Sequence, residues 1–212
     1  MKIAIIQDKF DPVNIDKNYK IAEEKILEAA KNRPDTIVLP ELWNICEFDE
    51  ELKEKVIGEG DRVNKFFSKL SKKLNVNIIG GSVANFYNGE VKNTSFIYNR
   101  SGELIASYDK THLYIGSDED KFTAQGCNFI TFKIDNIKCS VAICFDISFP
   151  EMIRKLALQG IEILFIVAAW PEAGEENFKT YCKVRAIENQ IFVVANNRLQ
   201  KIPKIDSVVK VR

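Results

Sequence analysis

Residues 139–151 read CSVAICFDISFPE, and this stretch decides how the rest of the chain is interpreted. The apolar run 141–143 is typical of a buried strand, and Pro150 is typical of the first turn of a helix. Cys144 is therefore expected at the exposed end of a buried strand, just before a helix begins. Backbone N–H groups of such a turn and the N-terminus of the helix both stabilise a thiolate. The position suits a cysteine nucleophile, although a small buried cysteine without a chemical role is the alternative.

The composition of the 212 residues is that of one globular chain with a large core. Thirty basic residues balance thirty acidic ones, so we expect neither a nucleic-acid nor a membrane partner. No apolar run reaches the length of a membrane span, and the N-terminus has no signal-peptide pattern. Five cysteines without CxxC spacing indicate reduced thiols and a cytoplasmic location. His112 is the single histidine, so a catalytic Cys–His pair has one candidate and we expect no multi-histidine metal site.

Apolar runs alternate with amphipathic segments in the N-terminal part of the chain. The predicted elements are strands at 3–7, 36–39 and 76–84, the last broken at Gly80-Gly81, and helices at 16–31 and 61–74. The two N-terminal strands, and the last one near 191–195, are expected to be buried. Asn14 or Asp16 is the expected cap of the first helix. The order β-α-β-α-β implies parallel strands with helices on a sheet face.

The pattern changes after residue 84. The predicted elements are hairpins at 94–108 and 129–143, a helix at 150–159, a strand at 161–168, a helix at 175–188 and a strand at 191–195. Loops that would shape a pocket are expected at 44–60, 85–93 and 170–177. We therefore predict an α/β protein with mixed sheets covered by helices, in a single domain spanning 1–212.

Three reactive side chains follow predicted strands directly. Glu41 comes after IVLP, Lys110 after IASYD and Cys144 after SVAI. Functional sites in open α/β sheets form at the carboxyl ends of strands, so these groups are expected to meet. Each alone has an ordinary alternative, since an acid or a lysine after a strand is often a solvated loop residue.

Five motifs in order carry a resemblance to a known family. They are LPELWN (39–44), YDKTHL (108–113), CFDISFPE (144–151), AAWP (168–171) and RAIENQ (185–190). From residue 2 to about 198 the chain resembles the nitrilase-related carbon–nitrogen hydrolases, and within them the ω-amidase group. The resemblance implies an α-β-β-α sandwich, a Glu-Lys-Cys triad of Glu41, Lys110 and Cys144, no cofactor and a homodimer.

The resemblance also implies roles in substrate binding. Glu119 matches a second glutamate that lines the family's pocket, the N–H of Phe145 is expected to donate to the oxyanion, and Trp170 is expected to contact the substrate. Lys110 is expected to lower the pKa of the thiol and to stabilise the oxyanion. His112 lies two residues beyond Lys110 and is expected to face elsewhere.

The implied activity is hydrolysis of a small-molecule amide through a cysteine thioester, with release of ammonia. The ω-amidase likeness implies 2-oxo dicarboxylate monoamides such as 2-oxoglutaramate as substrates. Arg154 and Arg185 are candidates for the remote carboxylate, or are surface residues. Two alternatives stay open, namely another small amidase or N-carbamoyl hydrolase, and an inactive truncated relative that acts as an interaction module.

Two departures from the family pattern stand out. Ser148 occupies a position where many members have arginine, which removes a charge near the cysteine. The C-terminal end is short, and we expect residues to be missing between about Leu199 and Lys204, together with the strands that usually close the second sheet. Helices at 150–159 and 175–188 are the expected dimer contacts.

Overall fold

The computed structural model describes residues 1–199, and two β-sheets form the centre of that range. The strands are β1 (Ile3–Ile5), β2 (Thr36–Val38), β3 (Asn77–Ile79), β4 (Val83–Tyr87), β5 (Glu90–Tyr98), β6 (Leu104–Asp109), β7 (Phe132–Ile134), β8 (Ile137–Ile143), β9 (Ile163–Ala168) and β10 (Phe192–Asn197). The α-helices are α1 (Ile15–Ala30), α2 (Leu52–Lys55), α3 (Glu59–Leu74), α4 (Glu119–Phe122), α5 (Pro150–Leu158) and α6 (Glu175–Asn189).

Both sheets are mixed, as the sequence predicts. The first has the order β1-β2-β3-β5-β4, with β6 also paired to β5, and the second has the order β10-β9-β8-β7. Strands β1, β2 and β3 run parallel, and so do β8, β9 and β10. The hairpins β5–β6 and β7–β8 are antiparallel. Parallel neighbours end at the same edge of their sheet, which is where the predicted site residues lie.

Apolar side chains on one face of each helix fix the order of the layers. Helices α1 and α3 pack on the first sheet through Tyr19, Ala22, Ile26, Val63, Phe67 and Leu70. Helix α5 packs on the second sheet through Met152, Ile153 and Leu156. Core residues of both sheets belong to one cluster, in which Val38 and Ile97 lie with Val141 and Phe165. The predicted α-β-β-α sandwich is therefore confirmed.

Helix α1 begins where the sequence predicts. The Asn14 side chain accepts a hydrogen bond of 2.9 Å from the N–H of Lys17, so Asn14 is the cap. This bond satisfies one of the backbone donors that a helix leaves unpaired in its first turn. Asp16, the other candidate, lies in the first turn and forms an ion pair with Arg62.

The region 76–93 differs from the prediction in a way that affects the site. Residues 76–84 form two strands, β3 and β4, with the break at Gly80-Gly81. The expected loop 85–93 is a hairpin, because Asn88 (φ 52°) and Gly89 (φ 87°) turn β4 into β5. An Asn-Gly pair with two positive φ angles is the preferred two-residue hairpin turn. The first residues of β5 are therefore ordered strand.

The terminal strands are less buried than the apolar runs suggested. Strands β1 and β10 lie at the edges of their sheets. Ile5 is 47% exposed and Phe192 is 75% exposed, so the prediction of two fully buried strands is wrong. An apolar run gives no sign of whether a strand is central or at an edge, because that depends on which strands pair.

No helix within residues 1–199 is long and apolar enough to cross a membrane. The predicted loss of residues between Leu199 and Lys204, and of the closing strands, lies outside the described residues. A single domain over 1–212 stays a prediction.

Candidate active site

The site lies where strands of both sheets end. In the second sheet Ile143 of β8 is opposite Val167 of β9, so Cys144 and Ala169 follow neighbouring strand ends. In the first sheet β6 runs antiparallel to β5, so the last residue of β6, Asp109, lies opposite Thr94 near the start of β5. The N–H of Lys110 donates to the carbonyl of Asn93 over 2.9 Å.

Glu41 follows β2 on a loop that β3 and β4 hold in place. The N–H of Ser82 donates to Pro40 O over 3.1 Å, and the indole N–H of Trp43 donates to Gly80 O over 2.8 Å. The Trp43 ring lies in the core beneath α1 and α3. The tryptophan of LPELWN therefore anchors the loop that carries the carboxylate.

Three buried charged groups form the centre of the site. Lys110 Nζ lies 2.9 Å from Glu41 Oε1 and 2.7 Å from Glu119 Oε2. Each of the three residues is 2% exposed. Such burial is tolerable because both carboxylates share the ammonium and accept further hydrogen bonds. The N–H of Tyr114 donates to Glu119 Oε2 over 2.8 Å, and the N–H of Ala169 donates to Glu41 Oε2 over 2.7 Å.

Cys144 completes the cluster. Its thiol lies beside the Glu41 carboxylate and the Ala169 N–H, both of which affect the pKa of the thiol. The residue opens a 3₁₀ turn, Cys144–Ser148, with a positive φ of 48°. Such a φ is strained for a residue with a Cβ, and strain of this kind is concentrated at functional sites. The expected exposed position is wrong, because Cys144 is only 8% exposed.

The electrostatics keep the proton on sulfur at rest. Burial raises the pKa of Cys144 well above its usual range, the Glu41 carboxylate raises it further, and Lys110 only partly opposes them. Burial would raise the pKa of Glu41 too, but Lys110 and its hydrogen bonds hold that pKa below its usual value. Burial lowers the pKa of Lys110, yet Glu41, Cys144 and Glu119 together raise it. Lys110 therefore lowers the pKa of the thiol as expected, but burial and Glu41 outweigh it, and Glu41 is the ionised partner.

Asp146 holds the turn that presents the cysteine. Its fully buried carboxylate accepts from the Ile143 N–H (2.9 Å) and the Tyr108 hydroxyl (2.7 Å). It also accepts from the N–H of His112 over 2.9 Å, and His112 Nδ1 lies 2.8 Å from the same oxygen. The imidazole stacks on Phe149 at 3.7 Å. His112 thus contacts the Cys144–Ser148 turn through Asp146 and Phe149 rather than facing elsewhere, and its contacts are structural.

Arg154 and Arg185, the two candidates for binding a substrate carboxylate, form hydrogen bonds within the protein. Arg185 Nε donates to Ile147 O over 3.0 Å, and its Nη1 lies 2.9 Å from Glu188. Arg154 donates to the backbone carbonyl of Glu188 over 2.9 Å. Arg185 thereby pins the end of the Cys144–Ser148 turn to α6. These contacts give both arginines a structural role.

Phe145 and Trp170 flank the cluster from two sides. The Phe145 ring lies 5.3 Å from the Tyr114 ring, and both belong to an aromatic group with Phe149. The Trp170 ring packs 5.2 Å from Phe178 of α6. Its backbone is fixed by Asn197, which accepts from the Trp170 N–H and donates to its carbonyl. The roles of Phe145 and Trp170 in substrate binding stay predictions.

Asn93 is the site residue that sequence reasoning missed. It is fully buried, and its Nδ2 lies 2.9 Å from Glu41 Oε1 and 2.9 Å from Glu119 Oε1. The residue was placed in a loop, although the Asn88-Gly89 pair was a signal for a hairpin that makes it part of a strand. The Ala169 N–H could not be found from the sequence, since any residue supplies one.

Gly81 provides a test of how tightly the Glu41 loop is held. A Cβ there would lie 2.0 Å from Pro40 O, and its φ is +63°. We expect Gly81→Ala to lower the free energy of unfolding by more than about 3 kcal/mol, because backbone displacement adds to conformational strain. Gly89→Ala is the matched control, with φ +87° and no described atom within 4 Å of the Cβ, and should lose only about 1 kcal/mol. Urea unfolding measures both, and equal losses would contradict the tight contact.

Known proteins resemble the chain in sequence and in fold. The sequence model of the carbon–nitrogen hydrolase family matches residues 2–207. The 2-oxoglutaramate amidase of Bacillus subtilis (strain 168) is 39% identical over 181 residues, which cover 85% of this chain and 70% of that protein. The omega-amidase NIT2 of Danio rerio is 28% identical over 203 residues, which cover 91% of this chain and 72% of that protein. Nit3 of Saccharomyces cerevisiae, a nitrilase-superfamily member, shares the fold with a TM-score of 0.86 at 23% identity, over 95% of this chain and 77% of that one.

Proposed function

Because this chain belongs to the carbon–nitrogen hydrolase family, we propose that it is an ω-amidase that acts through a thioester on Cys144. The observation that carries the proposal is the buried contact of the Cys144 thiol with Glu41, with Lys110 bridging Glu41 and Glu119. The proposed substrate is a 2-oxo dicarboxylate monoamide, as the name of the Bacillus relative indicates for that protein.

The first half-reaction uses the protonation states described above. Glu41 takes the thiol proton while the sulfur of Cys144 attacks the amide carbon and the carbonyl π electrons move to oxygen. Lys110 Nζ and the N–H of Phe145 are the proposed donors to that oxyanion. The intermediate collapses when Glu41 returns the proton to nitrogen. The C–N bond breaks, ammonia leaves and the acyl group stays on sulfur.

The second half-reaction repeats the sequence with water. Glu41 takes a proton from water as the water oxygen attacks the thioester carbon, and the same donors stabilise the oxyanion. The C–S bond breaks, the sulfur takes the proton from Glu41 and the carboxylic acid leaves. Lys110 keeps its proton throughout, since Glu41 and Glu119 hold its pKa above the usual range. It contributes charge and position instead of proton transfer.

The substrate assignment is tested with 2-oxoglutaramate and the neutral five-carbon amide pentanamide. We expect kcat/KM for 2-oxoglutaramate to be higher by about ten- to a hundred-fold. A charge-assisted hydrogen bond to the remote carboxylate contributes about 1.5–3 kcal/mol. Release of ammonia from each amide is the measurement, and 2-oxosuccinamate serves as a second acid amide.

Equal turnover of pentanamide, or faster turnover of N-carbamoyl compounds, would overturn the ω-amidase assignment while leaving amide hydrolysis in place. No release of ammonia from any of these would favour the inactive interaction module. The intact contacts among Glu41, Lys110 and Cys144 support an active enzyme.

The homodimer implied by the family and the cytoplasmic location stay predictions. Exposed apolar side chains on α5 and α6 support the dimer, because Leu158 is 79% exposed and Ile187 is 76% exposed. Sedimentation of the purified chain, and of a variant with Ile187→Glu, measures the assembly state directly.

A further inference from the structure

Four side chains form a closed ring of hydrogen bonds behind the thiol. Lys110 Nζ donates to Glu41 Oε1 and Glu119 Oε2, over 2.9 and 2.7 Å. Asn93 Nδ2 donates to Glu41 Oε1 and Glu119 Oε1, over 2.9 Å in both cases. The two carboxylates are thus bridged twice, once by a cation and once by a neutral amide.

The orientation of the Asn93 amide follows from its neighbours. Turned by 180°, it would direct its oxygen at two carboxylate oxygens, which can only accept hydrogen bonds. In the observed orientation both of its N–H groups meet carboxylates. Among the described residues none donates to Asn93 Oδ1, so the side-chain hydrogen bonds of Asn93 go to the two glutamates.

The ring leaves the two oxygens of Glu41 in different surroundings. Oε1 already accepts from Lys110 and Asn93, while Oε2 accepts from the Ala169 N–H. That same N–H also lowers the pKa of the Cys144 thiol, so it lies near the sulfur, and we take Oε2 as the carboxylate oxygen on the thiol side. Proton transfer from sulfur needs a carboxylate oxygen with a lone pair directed at the thiol.

We propose that Asn93 is a positioning residue that holds Glu41 so that Oε2 receives the thiol proton. It does so by occupying Oε1 together with Lys110 and by keeping Glu119 at a fixed distance across the ring. The inference rests on the proposed function and adds to it the residue that orients the base.

Loss of Asn93 is expected to change the pH dependence of the reaction. The titratable groups that face Glu41 are Lys110, Cys144 and, across the ring, Glu119. A donor to the ionised carboxylate lowers its pKa, so removal of Asn93 raises the pKa of Glu41. The base is active above that pKa and inactive below it. Loss of Asn93 therefore moves the acid limb of activity to higher pH.

The test uses Asn93→Leu, which keeps the branched shape of the side chain and removes both donors. Two quantities are measured against pH, namely kcat/KM for 2-oxoglutaramate and the rate of Cys144 alkylation by iodoacetamide, followed by mass spectrometry of the Cys144 peptide. We expect both acid-side midpoints to rise by about one pH unit or more. Asn93→Asp, which keeps the shape and adds a third carboxylate, should raise them further and serves if Asn93→Leu does not fold.

Asn77→Leu is the matched control. Asn77 is also buried in a strand of the first sheet, but its amide bonds to Asp35 O and Asp135 at the other end of the strands. This variant should lose stability without moving either midpoint. A fall in rate of the Asn93 variants at every pH, with unchanged midpoints, would show a merely structural role and overturn the inference.

The alkylation readout separates this inference from the proposed function. Alkylation needs the thiol and its base but no amide substrate. Shifted alkylation midpoints in an enzyme that hydrolyses none of the amides would overturn the ω-amidase proposal and support the role of Asn93. Turnover of 2-oxoglutaramate, with alkylation midpoints that do not move in the Asn93 variants, would support the ω-amidase proposal and overturn the role of Asn93.

Discussion

We expect Cys144→Ala to lower kcat for ammonia release by at least about 10⁴-fold, because the covalent path through a thioester is lost. The fold should survive, since the change removes one sulfur from a turn that Asp146 and Arg185 hold independently. We expect the free energy of unfolding to change by about 1 kcal/mol, the value of one hydrogen bond. Steady-state ammonia release and urea unfolding measure the two effects.

The other thiols are the control for this result. Alanine at each of them should retain most of the activity, since the structure places none in the carboxylate cluster: Cys46, Cys127, Cys139 and Cys182. Substantial activity in Cys144→Ala would exclude the thioester mechanism. Inactivity of the Cys127 variant would point to a role for an exposed thiol that the site geometry does not contain.

The carboxylate and the ammonium should behave as one unit with the sulfur. Glu41→Gln removes the base and Lys110→Met removes the oxyanion donor, so each should approach the loss seen for Cys144→Ala. The double variant should add little, because groups that act in one step are strongly non-additive. Lys110→Met should also lower the free energy of unfolding by about 3–5 kcal/mol, since it leaves Glu41 and Glu119 buried without their cation.

Thiol alkylation gives this prediction a second readout. Lys110 lowers the pKa of Cys144 against the effects of burial and Glu41, so Lys110→Met should slow alkylation at neutral pH. Additive losses in the double variant would mean that Glu41 and Lys110 act in separate steps. An unchanged alkylation rate would contradict the contact of the ammonium with the sulfur.

The sequence predicts that three reactive side chains lie together, and the structure brings them together, because strand ends are visible as breaks in apolar runs. Glu41, Lys110 and Cys144 each follow such a run, and parallel strands end at a common edge. Glu119 was reached only through the resemblance to a family, because nothing in the local pattern of α4 distinguishes it from a surface acid.

Asn93 shows where that rule is incomplete. Strand β5 is antiparallel to β3 and β6, so its first residues lie at the edge where those strands end. A search for strand ends alone overlooks the beginning of an antiparallel strand. Which strands pair, and in which direction, depends on the tertiary structure. The spacing of apolar residues along the chain does not reveal it.

The protonation state of Cys144 also cannot be predicted from the sequence. A helix N-terminus and a nearby lysine favour a thiolate, whereas burial and a carboxylate favour the thiol. Whether the thiol or the thiolate is favoured depends on the depth of burial and on which carboxylate oxygen faces the sulfur. Burial and the nearby Glu41 carboxylate raise the pKa of Cys144, so the thiol form is favoured.

The most direct test of the account is to trap the acyl-enzyme. Wild-type protein is mixed with 2-oxoglutaramate, quenched in acid during turnover and digested, and the cysteine peptides are weighed by mass spectrometry. We expect an acyl adduct on Cys144 that is absent from Cys144→Ala and lost on treatment with hydroxylamine. An adduct on another residue, or turnover by the Cys144→Ala variant, would contradict it.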